Sequence, residues 1–418
     1  MNEPLSTEPY KGVRDFYPAD WARFEAILER QRRMLRSWGY EEYQASPLES
    51  AELYEKKTSE EIVSEQTYTF EDRGGRRVTL RPEMTPTLAR MVAGKRRELS
   101  FPLRWFSIGN RFRYERPQKG RTREFYQCDV DLLGLPEGEA DVEVVMLADQ
   151  MLKAFGAHGN EYVIRINSRS LLTKACDAAG LTDDQVKGYL RLLDKKDKMP
   201  AADFSEKLRE ITDTDPLMLI ENDDARITGE KEAVTGLVAT LQERGVSGAT
   251  FDPTVTRGFD YYTGLTFEVF DVNPENQRAI LGGGRYDRLL ALFGGEAIPA
   301  VGFAVGTTTL SDFLETHGLL PDASAAPQVY LGTPLPADRE LAAKFAQSLR
   351  AEGLRVFVNL TEKNLGDQVR DAVRRAIPYF LPYGAEEESS GRVRLKALVT
   401  GEENDVPSTD VAEFVAGS

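Results

Sequence analysis

The amino-acid sequence predicts an α+β protein in three parts: a strand-rich part with flanking helices, a helical insertion within it, and a small C-terminal α/β domain. Alternating apolar and polar residues mark several strands before about residue 168 and again from Arg257. Between about residues 168 and 245, charges become dense and helical spacing dominates. After the linker PDASAAP, strands and helices alternate. We therefore expect one domain at 1–325, which carries the insertion, and a second at 326–418.

The N-terminal elements follow from spacing and turn residues. Trp21 and Phe24 begin a near-helical apolar pattern, and Gly39 is a plausible stop for that helix. YEEYQASPLE is expected to form a strand that Pro47 ends or leaves at a sheet edge. QTYTFEDRGGRRVTLRPE is expected to form a hairpin that turns at Gly74.

The elements that follow are predicted in the same way. TPTLARMVAGKRREL reads as a helix with Thr85 as its N-cap and Pro86 in the first helical position. LRWFSIGNRFRYER and REFYQCDVDLLG are expected to be strands joined by the polar loop RPQKGRT, before the helix DVEVVMLADQMLKAFG. RGFDYYTGLTFEVFD predicts another strand, LGGGRYDRLLALFGG a glycine turn that enters a helix, and AIPAVGFAVGTTTLSDFLETHG a strand that enters another helix.

Composition narrows the class of protein. Hydrophobic residues make up 41% of the chain and charged residues 29%, which is ordinary for a globular protein in water. We find no apolar run long enough to cross a bilayer and no signal peptide, and the cysteines Cys128 and Cys176 are too few for a disulfide scaffold. A cytoplasmic protein without a membrane segment is expected. With only two histidines, a histidine-based metal site or catalytic triad is not expected.

Positive charge collects in one segment, although the formal net charge is −15. Between residues 104 and 123 the sequence has one acid, Glu115, and seven cationic residues. These are Arg104, Arg111, Arg113, Arg116, Lys119, Arg121 and Arg123. A solvated hairpin is one interpretation. Because Arg111 and Arg113 share a strand face and RPQKGR has a basic tip, the other is a site for phosphate, polyphosphate or an RNA end.

Polar residues also follow one strand face. Gln127, Asp129 and Asp131 alternate, and Glu83 stands where a strand gives way to a helix. Such a face suits a small polar ligand, because a carboxylate accepts hydrogen bonds from an ammonium group or an imidazole N–H. An exposed sheet face is the alternative. The glycine runs GGGRYD and VGFAVG lack the spacing of a P-loop or a dinucleotide fingerprint, so they indicate tight turns or close strand packing.

These pieces together resemble the histidyl-tRNA synthetase family of class II aminoacyl-tRNA synthetases. RGFDYYTG and GGGRYD resemble the two peptides peculiar to that family, and TLRPEMTPTLARM resembles its histidine-site segment. YEEYQASPLE resembles class II motif 1, which builds the dimer interface, and FRYERPQKGRTREFYQ resembles motif 2. The match runs in order from Lys11 to about Gly306, and LRVFVNLTEKNLGDQVRDAVRRAIPY resembles the family's anticodon-binding domain.

The resemblance implies a fold, a reaction and partners. The fold is a class II synthetase-like α+β catalytic domain, with an antiparallel sheet flanked by helices, a helical insertion and a C-terminal α/β anticodon-binding-like domain. The reaction joins L-histidine to ATP, with Mg²⁺, to give histidyl-adenylate and pyrophosphate, and then moves histidine to the 3′ end of tRNA(His). A homodimer is implied as well. Attack on the α-phosphate brings two anions together, so a fixed cation stabilises the transition state and no general base is required.

The resemblance also implies roles for individual residues. Arg257 would be that cation, Arg113 would contact the α-phosphate and Arg121 a distal phosphate, with Glu115 near the adenine. The histidine pocket would contain Glu83, Thr85 and Gln127 at the ammonium end, Asp131, Tyr261 and Tyr262 around the imidazole, and Arg285 and Tyr286 in its wall. Arg116, Gln118 and Arg123 would contact the tRNA acceptor end.

One departure from the family pattern bears on ATP. Class II motif 3 usually ends with Glu-Arg entering a helix, whereas here Thr307, Thr308 and Thr309 follow the strand AIPAVGFAVG. Either another cation supplies that contact, for which Arg285 and Arg288 are the candidates, or ATP binding is weakened or lost. The alternative function is therefore a catalytically silent synthetase paralogue, such as the histidine-sensing regulatory subunit of ATP phosphoribosyltransferase. That paralogue typically lacks the tRNA-reading domain and tends to lose the motif 2 loop, both of which this sequence retains. A generic RNA-binding module would explain the basic loop alone.

The C-terminal domain gives a weaker signal. Its final segment is acidic, which disfavours phosphate there. A surface for the anticodon would lie near Lys363, Arg370, Arg374 and Arg375, although the helix DQVRDAVRRA is equally compatible with a solvated face.

Overall fold

The structure is a computed structural model of the 418-residue chain and describes residues 5–55, 66–115, 121–196, 199–257 and 261–417. The chain divides into two compact units. The first comprises Met1–Asp15 and Phe24–Pro321, and the second comprises Phe16–Arg23 and Asp322–Ser418.

The described strands, in chain order, are β1 (Glu41–Glu42), β2 (Leu48–Ser50), β3 (Tyr68–Glu71), β4 (Arg77–Leu80), β5 (Leu103–Phe112), β6 (Glu124–Leu133), β7 (Tyr162–Ser168), β8 (Ala249–Phe251), β9 (Leu265–Asp271), β10 (Ala279–Arg285), β11 (Ala300–Gly306), β12 (Val329–Gly332), β13 (Val356–Val358), β14 (Tyr379–Pro382), β15 (Arg392–Ala397) and β16 (Glu403–Pro407). The described α-helices are α1 (Pro18–Ser37), α2 (Ala51–Glu55), α3 (Thr85–Lys95), α4 (Glu139–Lys153), α5 (Arg169–Ala178), α6 (Asp183–Leu193), α7 (Ala201–Ile211), α8 (Pro216–Glu221), α9 (Thr228–Glu243), α10 (Thr307–Thr316), α11 (Arg339–Ala351), α12 (Leu365–Arg374), α13 (Ala385–Ser390) and α14 (Val411–Ala416).

A large mixed sheet forms the centre of the first unit. Its described strands run in the order β1-β5-β6-β11-β10-β9-β7-β8. The pairs from β5 to β7 are all antiparallel, whereas β1 and β8 pair in parallel with their neighbours at the two edges. The antiparallel sheet flanked by helices that the family resemblance implies is therefore present, with a parallel strand added at each edge.

Helices cover the sheet because their apolar faces match it. Helix α4 packs against β6 and β11 and buries Val144, Val145 and Leu147. Helix α10 packs against β6, β10 and β11 and buries Leu310 and Phe313. Burial of this apolar area is the main stabilising term for such a layer, at about 25 cal/mol per Å².

The region predicted as a helical insertion is helical. Helices α5 to α9 occupy Arg169 to Glu243, and α6 begins with a capping box in which Gln185 N–H donates to Thr182 Oγ1. None of the helices in the described ranges is both long and apolar enough to span a bilayer.

The second unit contains the α/β domain that the alternating pattern predicts. Its described sheet has the order β13-β12-β14-β15-β16, with parallel pairing around β12 and antiparallel pairing from β14 onward. Its core includes Val329, Leu331, Leu381 and Leu395.

Three local predictions differ from the structure. GGGRYD is not a turn before a helix: Gly282, Gly283 and Gly284 lie inside β10. Neighbouring strands and side chains leave no room there for a Cβ atom, so the other interpretation of these glycines, close strand packing, is the one that the structure has. Pro47 separates two short strands, β1 and β2. Thr85 is the first residue of α3 rather than its N-cap, which is Met84.

Candidate active site

A cavity of about 210 Å³ opens among β6, β10, β11, the start of α3 and the segment around Arg257. Many of the residues predicted as site residues line this cavity. These are Glu83, Thr85, Arg113, Gln127, Asp131, Arg257, Tyr261, Tyr262 and Tyr286. Strands and connections from widely separated parts of the chain therefore bring the predicted polar residues together.

The polar face of β6 forms one wall. Gln127, Asp129 and Asp131 all line the cavity, as their alternation predicts. In the register of the neighbouring strand β11, each faces a small residue: Gly306 opposite Gln127, Ala304 opposite Asp129 and Gly302 opposite Asp131. The small side chains of β11 explain why a cavity exists above this face instead of a packed core.

Asp131 and Tyr286 form a hydrogen-bonded pair in the cavity lining. The Tyr286 hydroxyl donates to Asp131 Oδ1, and the Asp131 side chain is buried. Burial raises the pKa of Asp131 to about 8, with the charge of Asp129 adding to the rise and the Tyr286 hydrogen bond opposing it. This carboxyl group can hold or release a proton near neutral pH, which suits recognition of an imidazole.

Glu83 is held by tyrosines. Tyr261 Oη donates to Glu83 Oε2 at 3.0 Å, and Tyr54 Oη donates to the Glu83 backbone oxygen at 3.2 Å. The Tyr261 ring centroid lies 5.0 Å from that of Tyr262 and 5.8 Å from that of Tyr286. The three rings and the Glu83 carboxylate form a wall that is aromatic on one part and acidic on the other.

Arg257 supplies a fixed cation. Its Nη1 donates to Glu268 Oε1 at 2.8 Å, and its φ of 59° lies in the left-handed region that a non-glycine residue rarely adopts. A Cβ atom on Gly282 would lie 2.7 Å from Arg257 Nη1, so this glycine makes space for the guanidinium. Burial works against the charge, but Tyr262 and Glu268 outweigh it and raise the pKa of Arg257.

Arg113 supplies a second cation just beyond the end of β5. Its Nε donates to the Pro82 backbone oxygen at 3.0 Å, and its guanidinium carbon lies 5.3 Å from the centre of the Phe125 ring. Burial lowers the pKa of Arg113, but an arginine remains charged at neutral pH. Two guanidinium groups thus line one cavity with a polar face, which is the arrangement required to bring two anions together.

Arg285 does not line the cavity, contrary to the position that the family resemblance implies for it. Its side chain is fully buried, and it pairs with Asp141 at 2.9 Å and with Asp287 at 2.9 Å. It also donates to the backbone oxygens of Leu135 and Pro136. A buried guanidinium requires such partners, so Arg285 is held away from a ligand.

The basic segment is also less open than its charge count predicts. Arg111 is fully buried and donates to Asp129 at 2.6 Å, so it does not share an exposed face with Arg113. Arg104 forms two bonds of 2.7 Å with Glu143. Arg111 thus neutralises a buried acid and Arg104 a partly exposed one, and the sequence alone reveals neither pair.

The remaining predicted residues lie near the motif 2 loop. Arg121 pairs with Glu115 at 2.9 Å, and neither lines the cavity. Arg123 donates to Tyr10 Oη at 2.9 Å and stacks over the Tyr114 ring at 4.0 Å. The predicted tRNA contacts Arg116 and Gln118 lie outside the described residues.

Sequence reasoning missed Glu268, which orients Arg257. The signal was present, because Glu268 is the one acid inside the apolar strand LTFEVF, where an unpaired charge would be costly. It also missed the role of the small residues in β10 and β11 as space for Arg257, Tyr262 and Asp131. A Cβ on Gly284 would lie 2.7 Å from Tyr262 Cδ1, and one on Gly302 would collide with Asp131.

The chain is similar to known proteins over nearly its whole length. The family model described as "Histidyl-tRNA synthetase" matches residues 12–310, and the model described as "Anticodon binding domain" matches residues 329–417. A curated relative from Leptospira biflexa, named "Histidine--tRNA ligase", is 40% identical over 415 residues, which is 95% of this chain and 94% of the relative. A relative of the same name from Opitutus terrae is 38% identical and covers 97% of both chains.

Solved structures show the same fold. The histidyl-tRNA synthetase of Nostoc sp. PCC 7120 superposes with a TM-score of 0.82 at 23% identity, over 99% of this chain and 100% of the other. A Bacillus halodurans structure described as an ATP phosphoribosyltransferase regulatory subunit/histidyl-tRNA synthetase superposes with a TM-score of 0.68 at 23% identity, over 88% of this chain and 97% of the other.

Proposed function

The chain belongs to the histidyl-tRNA synthetase family, and from that premise we propose that it is a histidine–tRNA ligase. It activates L-histidine with ATP and transfers the histidyl group to the 3′ end of tRNA(His). The observation that carries this proposal is the cavity in which Arg113 and Arg257 face the polar residues of β6 and the carboxylate of Glu83.

Activation needs two anions to meet. An oxygen of the histidine carboxylate attacks the α-phosphorus of ATP, the new O–P bond forms, and the bond to the β-phosphate breaks to release pyrophosphate. Arg113 and Arg257 stabilise the added negative charge on the α-phosphate oxygens, because they are charged and already held in place by Pro82 and Glu268. In the second step a ribose hydroxyl oxygen of the tRNA attacks the histidyl carbonyl carbon and forms the ester. The bond between that carbon and the phosphate oxygen breaks, AMP leaves, and the hydroxyl proton is released to solvent.

The polar wall would hold the amino acid. Glu83, Thr85 and Gln127 are assigned to the ammonium group, because a carboxylate, a hydroxyl and an amide oxygen all accept hydrogen bonds. Asp131 and the rings of Tyr261 and Tyr262 are assigned to the imidazole, and their place in the cavity lining supports this. Tyr286 orients Asp131 through its hydroxyl. We assign Arg285, the residue before Tyr286, a structural role: its ion pairs with Asp141 and Asp287 would fix the backbone that carries Tyr286.

ATP would extend from Arg113 toward Arg121 and Glu115. Mg²⁺ enters with ATP and would be held mainly through phosphate oxygens, as is usual for this ion. The residues fit that arrangement: Glu268 and Glu115, two acids near the proposed ATP path, are each paired with an arginine and so offer Mg²⁺ little free charge.

We assign tRNA binding to both domains, with a catalytic domain at 1–325 and an anticodon-binding domain at 326–418. The match of an anticodon-binding family model to residues 329–417 supports the second assignment. Arg116, Gln118 and Arg123 are assigned to the acceptor end. A homodimer in the cytoplasm is proposed from the family alone.

A catalytically silent, histidine-sensing paralogue is the second candidate, and the threonines at 307–309 favour it. Thr309, which stands where the motif 3 arginine would be, carries no charge. Its hydroxyl donates to the Ile280 and Gly306 backbone oxygens. Against this candidate, Arg113 and Arg257 remain in the cavity and the C-terminal domain is present.

Histidine-dependent ATP–pyrophosphate exchange tests the proposal. The wild type should exchange only when histidine is present, and Arg257→Ala should lower the rate by roughly a hundredfold or more, as removal of a transition-state charge contact does. Lys187→Ala is a matched control, because Lys187 is an exposed cation on α6. Histidine binding without exchange in the wild type would instead establish the silent paralogue.

A further inference from the structure

A second cleft adjoins the candidate active site and contains an arginine that the assignments above leave without a role. The cleft has a volume of about 180 Å³ and is lined by Glu275, Asn276, Gln277, Arg278, Ile280, Thr309 and Asp312. Ile280 and Thr309 line the active-site cavity as well, so the two spaces share a wall.

The backbone is irregular where Arg278 enters the sheet. The pairing of β10 with β9 shifts register between Ala279 and Leu281. Ile280 therefore lacks a regular partner on that side, and its backbone oxygen accepts a hydrogen bond from Thr309 Oγ1 at 3.0 Å. Irregularities of this kind re-aim neighbouring side chains at the edge of a site. Arg278 follows this rule, because it lies directly before the shift and lines the cleft.

Arg278 carries a charge that no described residue pairs. Within the described ranges it makes no hydrogen bond and no ion pair, and it is half-buried. Partial burial lowers the pKa of Arg278, and the nearby charge of Arg121 lowers it further, against the opposing charges of Glu115 and Asp312. Arginine stays protonated regardless, so Arg278 and Arg121 are like charges that act on each other. Among the described residues, an acid forms an ion pair with Arg121, namely Glu115, but none does so with Arg278.

This arrangement favours an anion between the two arginines. Glu275 and Asp312 also line the cleft and would repel phosphate. The phosphates would therefore lie on the side of Arg278 that faces the active-site cavity, with which the cleft shares Ile280 and Thr309. We propose that Arg278 binds the distal phosphates of ATP together with Arg121, and supplies the cation that Thr309 cannot. The proposal rests on the proposed function, since it assumes that ATP is the nucleotide bound in the adjoining cavity.

Arg278 is better placed to replace the motif 3 arginine than the two arginines that the sequence suggested. The charge of Arg285 is already paired with Asp141 and Asp287. Arg288 is exposed and lines neither of the two cavities described here. Arg278, by contrast, shares a cleft with Thr309, the last of the three threonines.

The test compares ATP with AMP, which lacks the distal phosphates, by isothermal titration calorimetry without histidine. Arg278→Ala should weaken ATP binding by about tenfold to a hundredfold, the usual range for a lost hydrogen bond to a charged group, and should leave AMP affinity unchanged. Arg278→Lys should retain part of the ATP affinity, since it keeps the charge without the planar fork. Arg33→Ala, which removes an exposed arginine on α1, should change neither affinity.

Each contrary result has a definite meaning. Unchanged ATP affinity in Arg278→Ala would overturn the proposal. An equal loss for ATP and AMP would also overturn it, because the contact would then be with adenine or the α-phosphate. Histidine affinity, measured in the same variants, reports whether the fold is intact. If Arg278→Ala weakens ATP binding but not AMP binding, and the wild type shows no exchange, the inference holds and the ligase function is rejected. If the wild type exchanges, and Arg278→Ala leaves the KM for ATP and the KM for pyrophosphate unchanged, the ligase function holds and the inference is rejected.

Discussion

Tyr261 Oη donates a 3.0 Å hydrogen bond to Glu83 Oε2 across 178 positions of sequence, and both side chains are buried in the cavity wall. The bond fixes the carboxylate that we assign to the ammonium group of histidine. It also constrains the tyrosine, because burial and the charge of Glu83 raise the pKa of Tyr261 well above its ordinary value. The hydroxyl therefore stays protonated and remains a donor throughout the working pH range.

Replacing Tyr261 with phenylalanine should affect histidine binding more than ATP binding. Without its donor, Glu83 can turn from the ammonium group, and we expect the KM for histidine in pyrophosphate exchange to rise about tenfold. Tyr40→Phe is the control, because Tyr40 also donates to a glutamate, Glu143 at 3.1 Å, but lies outside the cavity lining. Equal effects of the two substitutions would show that the Tyr261 bond serves stability alone.

Gly282 should tolerate no side chain if Arg257 must stay where it is. A Cβ atom there would lie 2.7 Å from Arg257 Nη1 and 3.0 Å from the Phe267 backbone oxygen, so Gly282→Ala should displace the guanidinium. We expect the exchange kcat to fall by about a hundredfold, as small misplacements of catalytic groups do. Gly236→Ala on α9 has open space around it and should leave kcat unchanged. Normal kcat in Gly282→Ala would mean that Arg257 acts from another position.

Local sequence signals predicted helices, strands and turns better than the side-chain contacts between distant parts of the chain. The hairpin at Gly74, the first helix and the alternating face of β6 depend on neighbours a few residues away, and all three are found. The sequence did not reveal that Arg285 pairs with an acid, because that acid, Asp141, is 144 positions distant. For the glycines of β10, the sequence left a turn and close strand packing both open, because the strands that crowd them are remote as well. Contacts between residues that are far apart in the chain cannot be read directly from a single sequence.

Arg285→Ala should destabilise the protein rather than weaken ATP binding. Removal of the guanidinium leaves Asp141 and Asp287 without their buried partner, and breaking such a pair costs roughly 3–5 kcal/mol of unfolding free energy. Urea denaturation measures the loss, and exposed Arg288→Ala should stay within about 0.5 kcal/mol of the wild type. A stable Arg285→Ala protein with reduced ATP affinity would instead support Arg285 as the cation that compensates for the missing motif 3 arginine.

Asp131 should make stability fall as pH rises. Its pKa is about 8 in the folded protein, well above the ordinary value near 4, so the folded state keeps a proton that the unfolded state releases. Unfolding is therefore favoured increasingly between about pH 4 and pH 8, by at most about 1.4 kcal/mol per pH unit, and the effect levels off above that window.

Asp131→Asn isolates this contribution, because asparagine cannot titrate and can still accept from Tyr286. Urea denaturation at pH 5, 6, 7 and 8 should show the wild type losing stability relative to the variant as pH rises. Asp203→Asn, at an exposed site on α7, should run parallel to the wild type. Parallel curves for Asp131→Asn would mean that Asp131 is ionised across the whole range.

The C-terminal unit holds its basic residues beside a buried acid. Asp371 pairs with Arg375 at 2.9 Å, and with Lys363 and Arg374 at 3.5 Å each. Arg370 pairs with Asp367 on the same helix, α12. Four cations therefore face two carboxylates, and a net positive surface remains that fits an RNA backbone.

Arg370→Ala/Arg374→Ala should separate tRNA binding from amino-acid activation. Both side chains are mostly exposed, so the fold should survive, while the KM for tRNA(His) rises and the salt dependence of that KM becomes shallower. Pyrophosphate exchange, which needs no tRNA, should be unchanged. Arg392→Ala/Arg394→Ala removes two exposed arginines from β15 as a matched control. If both double variants raise the KM equally, the effect is one of total charge, and α12 is a solvated face rather than the anticodon surface.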